Sequence, residues 1–406
     1  MPESIFRIAH ICPDEKFTDF ISEVFNEALP EHNDFYVYLT KNYKSLNFTK
    51  KTKIHTTITS NPPAHKLISI ANKLSEYDLI VAHYLHPITD FILRHLTKSI
   101  PIMWSGWGAD YYQIISPDLS LYLLPRTRQY LQWTNAFKWI PRKIIYVLKR
   151  ISVFMDNDKF IYKRVSGFPE YVRYFSAPVH DDYLYIQNIK SDFKPVYIQV
   201  NNASLKSLYS EKNPIPGELS QNSGNILLGN SASTTNNHLD AIDLLKQINT
   251  GERKIIAPLT YGNGQYTNKI IKYGKKNLQG VFYPLTTYIP QEEYNKIIQT
   301  CSIMIMNHLR QEGLGNIIIM LEMGSKIFLQ KANPIYIFLK KAGTHVFEIS
   351  SLLENQKAIF APLSASQIKK NKEIARKYWE HSVVINNIKS FINTVHADNR
   401  NGKINT

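Results

Sequence analysis

Residues 229–238 read Gly-Asn-Ser-Ala-Ser-Thr-Thr-Asn-Asn-His, and their types and spacing suit the binding of a phosphate group. They follow an apolar run at 226–228 and precede apolar residues with helical spacing up to Ile248. A strand, a small polar loop and a helix start bring backbone N–H groups and the positive end of the helix dipole together. Small side chains also let the backbone approach a ligand closely. The segment predicts a nucleotide or nucleotide-sugar site. The alternative is an ordinary capped turn, because Ser, Thr and Asn are the usual N-caps.

Two polar residues in the first half of the chain come at predicted strand ends. His83 ends an apolar run, and Asp110 follows a strand ending at Trp104 and two glycines. Parallel sheets bind ligands beyond the carboxyl ends of their strands. Asp110 could therefore act as a base on an acceptor hydroxyl or hold a sugar hydroxyl, and His83 could line the same cleft. Trp104 and Trp107 could stack on a sugar. The alternatives are an N-capping aspartate, a structural histidine and core tryptophans.

Alternating strands and helices must position these residues. Apolar runs of strand length, separated by segments with helical spacing, predict a parallel sheet covered on both faces. The alternation resumes at 226 after a polar stretch that contains proline and glycine. The predicted organisation is an N-terminal α/β domain at 1–205, a linker at 206–224, a C-terminal α/β domain at 225–375 and a helical tail at 376–406.

The composition is that of a globular protein with full-sized cores. Of its 406 residues, 44% are hydrophobic and 20% are charged, which suits two domains. Cys12 and Cys301 lie far apart, so no disulfide framework or zinc spacing is expected, and a reducing compartment is favoured. No apolar run reaches the roughly 20 residues that cross a bilayer, and the first residues lack the apolar core of a signal peptide. We expect a soluble or peripheral protein.

The net charge of +15 favours an anionic partner. Residues 119–155 contain no Asp or Glu. In that stretch basic and aromatic residues alternate, at Tyr122, Arg126, Arg128, Tyr130, Trp133, Phe137, Lys138, Trp139, Arg142, Lys143, Tyr146, Lys149 and Arg150. Basic residues mixed with Trp and Tyr are typical of contacts with an anionic membrane surface. The alternatives are a solvated basic helix pair and RNA binding, although no nucleic-acid motif accompanies the stretch.

Two similar α/β domains joined by a linker occur in several classes of protein. GT-B glycosyltransferases, some dehydrogenases and periplasmic binding proteins share this organisation. The missing signal sequence disfavours the periplasmic class, and no G-x-G-x-x-G follows an early strand, which disfavours a dehydrogenase.

Five segments together resemble one family. They are Trp-Ser-Gly-Trp-Gly-Ala-Asp-Tyr-Tyr at 104–112, Ile-Leu-Leu-Gly-Asn-Ser at 226–231 with Asn-His at 237–238, Pro-Leu-Thr-Tyr-Gly at 258–262 with Tyr266, Arg-Gln-Glu-Gly-Leu-Gly-Asn at 310–316, and Asn-Pro at 333–334. In order and spacing, from about residue 75 to 345, they resemble the bacterial Fuc4NAc transferases of enterobacterial common antigen synthesis, glycosyltransferase family 56.

The resemblance implies a GT-B fold, with two Rossmann-like domains facing across a cleft. It also implies a metal-independent, retaining enzyme without a cofactor. The donor would be a TDP-linked amino-deoxy sugar and the acceptor a polyprenyl-diphosphate-linked saccharide, held by the N-terminal domain. The enzyme would lie peripherally at the cytoplasmic face of the bacterial inner membrane. Alternatives are an O-antigen, lipopolysaccharide or capsule transferase with another nucleotide sugar, and a non-catalytic nucleotide-sugar-binding or scaffold protein. Nucleic acid is not an expected partner.

The resemblance also implies roles for individual residues, with the donor nucleotide mainly on the C-terminal domain. Residues 229–235 would cradle the diphosphate, and Arg310 or Lys326 would neutralise it. Donor contacts are predicted for Gly229, Asn230, Ser231, His238, Tyr261, Arg310, Gly313, Gly315 and Asn316. The two glycines of the 310–316 segment would allow close approach of the backbone.

Glu312 lies where retaining GT-B enzymes place an acid that contacts the sugar. The alternative is an acid favoured by a helix N-terminus. Many such enzymes have a second glutamate two helical turns later, where this chain has Met320, and its next acid is Glu322. Together with Asp110 and His83 from the first half of the chain, Glu312 completes the set of predicted catalytic residues.

Overall fold

The computed structural model describes residues 6–40, 43–136, 165, 167–208, 219, 224–354 and 356–400. The chain forms two compact units, each with its own sheet. Unit 1 contains Met1–Pro117, Trp139–Ala203 and Ser382–Thr406, and unit 2 contains Asp118–Lys138 and Ser204–His381.

The described helices follow in chain order. They are α1 (Thr18–Ala28), α2 (Ala64–Leu74), α3 (Pro87–Arg94), α4 (Ala109–Ile115), α5 (Pro125–Ala136), α6 (His180–Ile189), α7 (Leu205–Leu208), α8 (His238–Leu245), α9 (Gly264–Asn277), α10 (Gln291–Ile298), α11 (Leu314–Met323), α12 (Pro334–Ala342), α13 (Gln356–Phe360), α14 (Ala365–Trp379) and α15 (His381–Arg400).

Unit 1 contains a parallel sheet with strand order 3-2-1-4-5-6-7. Its strands are β1 (Ile8–Pro13), β2 (Asn33–Tyr38), β3 (Ile54–Ile58), β4 (Leu79–His83), β5 (Ile102–Ser105), β6 (Tyr174–Ser176) and β7 (Val196–Tyr197). Every residue of β1 and β4 is buried, as expected for parallel strands covered on both faces. The strand order reverses between β1 and β4, so the loops after these strands diverge and leave a crevice where doubly wound sheets bind ligands.

Unit 2 repeats the plan with strand order 10-9-8-11-12-13, again parallel. The strands are β8 (Asn225–Leu228), β9 (Ile255–Pro258), β10 (Phe282–Leu285), β11 (Cys301–Met306), β12 (Lys326–Leu329) and β13 (Phe347–Glu348). Here the order reverses between β8 and β11, which brings the loop after β8 beside the loop after β11. The two doubly wound α/β domains predicted from the sequence are confirmed.

Two helices belong to a different unit from the one that the predicted domain boundaries give them. The segment with α5 lies in unit 2, because the Asp240 carboxylate on α8 accepts hydrogen bonds from the backbone N–H groups of Arg126 (2.7 Å) and Thr127 (2.9 Å). Helix α15, predicted as a tail, belongs to unit 1, where Phe391 packs in the same core as Val81. Most of the predicted linker and most of the basic aromatic stretch, including Arg142, Lys143, Lys149 and Arg150, lie outside the described residues.

Candidate functional site

The loop between β8 and α8 is mostly buried and is held by bonds within the protein. Gly229 has a φ of +67° and donates its N–H to the Ile305 carbonyl (3.0 Å). The N–H of Asn230 bonds to Asn236 Oδ1 (2.9 Å), and that of Ala232 to the Tyr261 carbonyl (2.8 Å). These N–H groups are therefore not presented to a ligand, contrary to the expectation of an open backbone cradle. The Asn236 side chain occupies one of these N–H groups, as asparagine often does in loops, and backbone carbonyls of neighbouring segments occupy the other two.

The helix start after this loop is also occupied. Asn237, at φ +51°, is the N-cap of α8, and the Tyr266 hydroxyl accepts the His238 N–H (3.1 Å). The Asn237 amide donates to three backbone carbonyls, including that of Asn307 after β11 (3.1 Å). The asparagines fix the two loops of the crevice to one another.

A charged network joins the loop after β11 to the loop after β8. Glu312 Oε2 lies 3.0 Å from an Arg310 guanidinium nitrogen and accepts the Thr235 hydroxyl at 2.6 Å. Its Oε1 accepts the Asn236 amide at 3.1 Å. The Glu312 side chain is 12% exposed and that of Arg310 is 8% exposed, so both charges are largely removed from water.

The network keeps Glu312 ionised. Burial alone would raise the pKa of this carboxyl, but the Arg310 charge and the hydrogen bonds from Thr235 and Asn236 hold it below its usual value. Glu312 is thus a fixed carboxylate at the carboxyl edge of the unit 2 sheet, where a donor sugar is expected in the GT-B arrangement. A helix-dipole role alone does not explain two specific partners on another loop and a third, Arg310, on its own loop.

Glycines allow these loops to pack closely. A Cβ on Gly313, whose φ is +69°, would lie 3.1 Å from Asn230 Cγ. A Cβ on Gly262, at φ +124°, would lie 2.5 Å from the Ala232 carbonyl carbon. Gly229 is likewise enclosed, since its Cβ would meet Asn236 Oδ1 at 2.6 Å. These glycines serve contacts between loops.

Several buried polar atoms at this edge lack a hydrogen-bond partner among the described residues. They are Asn230 Oδ1 and both ring nitrogens of His238 and of His308. Burial lowers the pKa of His238 to about 3 and that of His308 to about 4, so both rings are neutral at pH 7. Unpaired buried polar atoms are rare in folded proteins and mark places completed by water or by a ligand. His238 is fully buried, so a phosphate reaches it only after local rearrangement.

The rim of the unit 2 site contains the remaining predicted donor residues. Tyr261 is 57% exposed, and its hydroxyl hydrogen-bonds the Asn230 side chain. Ser231 is buried and accepts the Ser233 N–H (3.3 Å). The Asn316 amide donates to the Tyr294 hydroxyl (3.0 Å).

Two of the residues predicted to contact the donor have structural roles instead. The Gly315 Cβ would lie 3.1 Å from Leu208 Cδ2, so this glycine allows α7 and α11 to approach. The alternative phosphate contact Lys326 is a wrong prediction. It starts β12, at the edge opposite the loops, and its ammonium group donates to the Ala358 (2.7 Å) and Ala361 (2.6 Å) carbonyls.

Asp110 in unit 1 is a buried anchor. Its carboxylate accepts hydrogen bonds from Leu85 N–H (3.1 Å), Trp104 Nε1–H (2.8 Å) and Trp107 N–H (3.0 Å), which ties the loop after β4 to the loop after β5. Burial raises its pKa, and these bonds oppose the rise. Trp104 is fully buried, so the core alternative holds for that residue. Trp107 is partly exposed, and its indole N–H is buried without a partner among the described residues.

His83 belongs to a buried chain of hydrogen bonds that fixes its tautomer. The Asn33 amide donates to the Leu29 carbonyl (2.6 Å), which leaves Asn33 Oδ1 to accept from His10 Nε2 (3.0 Å). His10 Nδ1 is then the acceptor for His83 Nε2–H (3.0 Å). His83 Nδ1 keeps its lone pair and has no partner in the described part of the chain. Burial lowers the pKa of both rings, to about 4 for His10.

The structure therefore brings together the predicted donor residues of the 229–238 and 310–316 segments with Tyr261, and it places Asp110 and His83 in the other unit. Sequence reasoning missed Asn236, Asn237 and His308. Asn236 and Asn237 lie inside the polar loop, where the sequence does not distinguish an asparagine that bridges two loops from one that caps a helix. The Asn-Pro pair at 333–334 is among the five segments of the resemblance, which gives Asn333 no role. Asn333 caps α12, and its amide also donates to the His308 (3.0 Å) and Arg310 (2.9 Å) carbonyls.

Comparisons with known proteins agree with this architecture. Residues 196–376 match the family described as 4-alpha-L-fucosyltransferase, glycosyl transferase group 56, the family that the five segments resemble, over somewhat less than half of the chain. A glycosyltransferase from Rickettsia africae superposes with a TM-score of 0.61 at 12% identity, over 97% of this chain and 99% of that one. Anabaena HepE in complex with UDP-glucose gives 0.58 at 14% identity, over 95% and 99%. The sucrose-phosphate synthase of Thermosynechococcus elongatus gives 0.59 at 10% identity, over 97% and 99%. The chain is a glycosyltransferase with a GT-B fold.

Proposed function

We propose that this glycosyltransferase moves an amino-deoxy sugar of the Fuc4NAc type from TDP to a polyprenyl-diphosphate-linked saccharide during surface polysaccharide synthesis. The observation that carries the proposal is the buried carboxylate of Glu312, fixed by Arg310 and by the loop after β8 within the segment that matches family 56. A nucleotide-sugar donor is also in keeping with the UDP-glucose bound by HepE.

In this proposal the donor lies at the carboxyl edge of the unit 2 sheet. Arg310 contacts the diphosphate while Glu312 holds its guanidinium in place, because a salt bridge between largely buried groups fixes the position of both. The Asn230 side chain and the exposed ring of Tyr261 contact the nucleotide or sugar. With most loop N–H groups bonded internally, side chains provide the polar contacts.

The acceptor would use unit 1. Asp110 holds the two loops of that sheet edge, where the partly exposed Trp107 has an indole N–H without a partner among the described residues. His83 Nδ1 is an acceptor without a described partner, but His83 is fully buried, so a sugar reaches it only after local rearrangement. Sugar hydroxyl groups can satisfy both kinds of atom. Stabilising the leaving diphosphate and orienting the acceptor are then the main tasks of the protein. No metal or cofactor is part of the proposal.

We further propose that the enzyme acts peripherally at the cytoplasmic face of the inner membrane, where a polyprenyl-linked acceptor is embedded. No helix of the described ranges is long and apolar enough to cross a bilayer. Attachment would therefore rely on surface charge and aromatic side chains.

The donor is tested by titrating the protein with TDP, UDP, GDP and CMP and following its thermal unfolding. A ligand present at 100 times its Kd adds about 2.7 kcal/mol to the free energy of unfolding. We expect a rise in Tm selective for TDP. A rise with UDP or GDP instead would retain the transferase and replace the donor, as for an O-antigen or capsule enzyme. No response to any nucleotide would refute the proposed donor site.

A pair of matched variants tests the site itself. Glu312→Gln should abolish sugar transfer and alter TDP binding. Glu322→Gln is the control, since Glu322 is another buried carboxylate bonded to an arginine, Arg376 at 3.1 Å, but it faces α14. Equal loss of transfer in the two variants would remove Glu312 from the site.

A further inference from the structure

One exposed face of unit 2 combines lysines with aromatic rings. Helix α9 carries lysines at intervals of three and four residues, the spacing that places side chains on one side of a helix. Helix α5 carries an arginine, a tyrosine and a tryptophan at the same spacing. We refer to these residues as the α5–α9 face: Arg126, Tyr130, Trp133, Lys269, Lys272, Lys275 and Lys276.

Contacts between the helices make this a continuous surface. Lys269 Nζ lies 5.4 Å from the centroid of the Tyr130 ring and 5.5 Å from that of Tyr273. The Arg126 guanidinium lies 5.4 Å from the Tyr273 ring and donates to its hydroxyl (3.3 Å). Trp133 follows Tyr130 by one turn on the same side of α5 and is 64% exposed.

The face has a strong excess of positive charge. Neither α5 nor α9 contains an Asp or Glu. The acids that face them come from α8. Asp240 accepts hydrogen bonds from the start of α5, and Asp243 accepts the Tyr273 hydroxyl and lies 3.6 Å from Arg126. Lys272, Lys275 and Lys276 are exposed.

We propose that the α5–α9 face docks unit 2 on an anionic lipid bilayer. A plane of lysines complements anionic headgroups, and an exposed tryptophan beside them suits the interfacial region. The exposed Trp133 favours a bilayer over RNA, since an indole gains most at the boundary between headgroups and acyl chains. This proposal rests on the proposed function, because a lipid-linked acceptor is embedded in the bilayer to which the face would bind.

The test compares two triple variants in sedimentation with vesicles of phosphatidylglycerol and phosphatidylcholine. Lys269→Ser, Lys272→Ser and Lys276→Ser are combined in one protein. The control removes the same charge from α14 through Lys369→Ser, Lys370→Ser and Lys377→Ser, all of which are exposed. Each basic residue near an anionic surface strengthens binding about five-fold, so three substitutions in the face should together weaken vesicle binding about 100-fold. The control should bind almost as the wild type does.

A second measurement places Trp133 at the membrane. Quenching of tryptophan fluorescence by brominated lipid should be smaller in Trp133→Phe than in the wild type. Unchanged quenching, or equal losses of vesicle binding in the two triple variants, would overturn the proposal. So would loss of binding to a short single-stranded RNA in the α9 variant while its vesicle binding stays intact.

The donor site is scored separately on the same proteins. All variants should keep the TDP-dependent rise in Tm, because none of the changed residues lies in the loops after β8 or β11. Vesicle binding that depends on the α5–α9 face without any TDP response would leave the docking inference standing and refute the donor. The reverse result would refute docking alone.

Discussion

Glu312→Gln should destabilise unit 2 more than Glu322→Gln, the exchange of another buried carboxylate for its amide in that unit. The substitution leaves the Arg310 charge, whose side chain is 8% exposed, without its carboxylate. One amide oxygen must also replace two carboxylate oxygens that accept from Thr235 and Asn236. Removing one partner of a buried ion pair costs about 3–5 kcal/mol, and we expect about 3 kcal/mol because the pair retains some exposure.

The magnitude is measured by urea unfolding followed by circular dichroism. Glu322→Gln is again the comparison. Its partner Arg376 is 57% exposed and stays hydrated when the carboxylate is removed, so the expected loss in the free energy of unfolding is only about 1 kcal/mol. A loss for Glu312→Gln no greater than that for Glu322→Gln would refute the argument that burial of Arg310 sets the cost.

A double substitution separates stability from binding. Replacing both Arg310 and Glu312 by methionine removes the two charges together, and such replacements of buried pairs are often neutral or stabilising. The double variant should recover about 2 kcal/mol relative to Glu312→Gln. It should nevertheless fail to show the TDP-dependent rise in Tm. A variant that is stable and still binds TDP would show that the pair serves the fold alone.

The difference in the free energy of unfolding between the wild type and Glu312→Gln should depend on pH, and the pKa shift of Glu312 gives the sign of that dependence. The pKa of Glu312 is lowered in the folded protein, so the unfolded state binds more protons near the usual glutamate pKa. Its contribution to stability is therefore present at neutral pH and is lost as the pH falls through the folded pKa. The gap between the wild type and Glu312→Gln should narrow from pH 7 to about pH 3. A constant gap would mean that Glu312 is not ionised in the folded state.

Three further predictions concern single positions. Asp240→Asn should cost about 1–2 kcal/mol in urea unfolding by weakening the start of α5, with TDP binding unchanged; an unaltered free energy would refute this capping role. Burial lowers the pKa of His10 to about 4. The contribution of His10 to the free energy of unfolding is therefore fully present above the unfolded pKa near 6.5 and decreases from there towards pH 4. His10→Phe should reduce this loss of stability at low pH, and the same pH slope in both proteins would contradict the prediction. Gly313→Ala should weaken TDP binding through the contact with Asn230, whereas Gly280→Ala, at φ +76° with open space around it, should cost only about 1 kcal/mol of backbone strain; equal TDP binding by the two variants would show that the contact is unimportant.

The sequence predicted the two segments that meet at the carboxyl edge of the unit 2 sheet, but not the bonds between them. Apolar runs bounded by polar residues identified β8 and β11, and the order reversal between them follows from ordinary α/β topology. It did not predict that Asn236 and Asn237 bond across to neighbouring segments, because an asparagine in a polar loop can equally cap, turn or bridge. The partners of Asn236 include Glu312, 76 residues away, and periodicity carries no information about such a pairing.

The sequence pattern also did not predict which unit the helices α5 and α15 join. Helix α5 follows unit 1 in the chain, yet its first turn is bonded to Asp240, 113 residues after Thr127. Helix α15 comes after unit 2, yet its apolar face fills the unit 1 core. Helix α15 has the amphipathic spacing that local reasoning recognises, whereas α5 is mostly polar and gives no such signal. Which sheet each helix packs against depends on which hydrophobic core has an uncovered face, and that face forms only when distant parts of the chain come together.

The bonded backbone of the 229–238 loop has a consequence for donor choice. An open backbone cradle recognises phosphate and leaves the base and sugar to other groups. In this chain the N–H groups of Gly229, Asn230 and Ala232 are already bonded. Under the proposed function, Arg310 contacts the diphosphate that TDP, UDP and GDP share, so discrimination between nucleotides depends on the side chains of Asn230 and Tyr261. A site built to hydrogen-bond a substrate strongly rejects an analogue that lacks the matching group, so substitutions of these side chains should alter the preference among TDP, UDP and GDP more than those of the loop glycines.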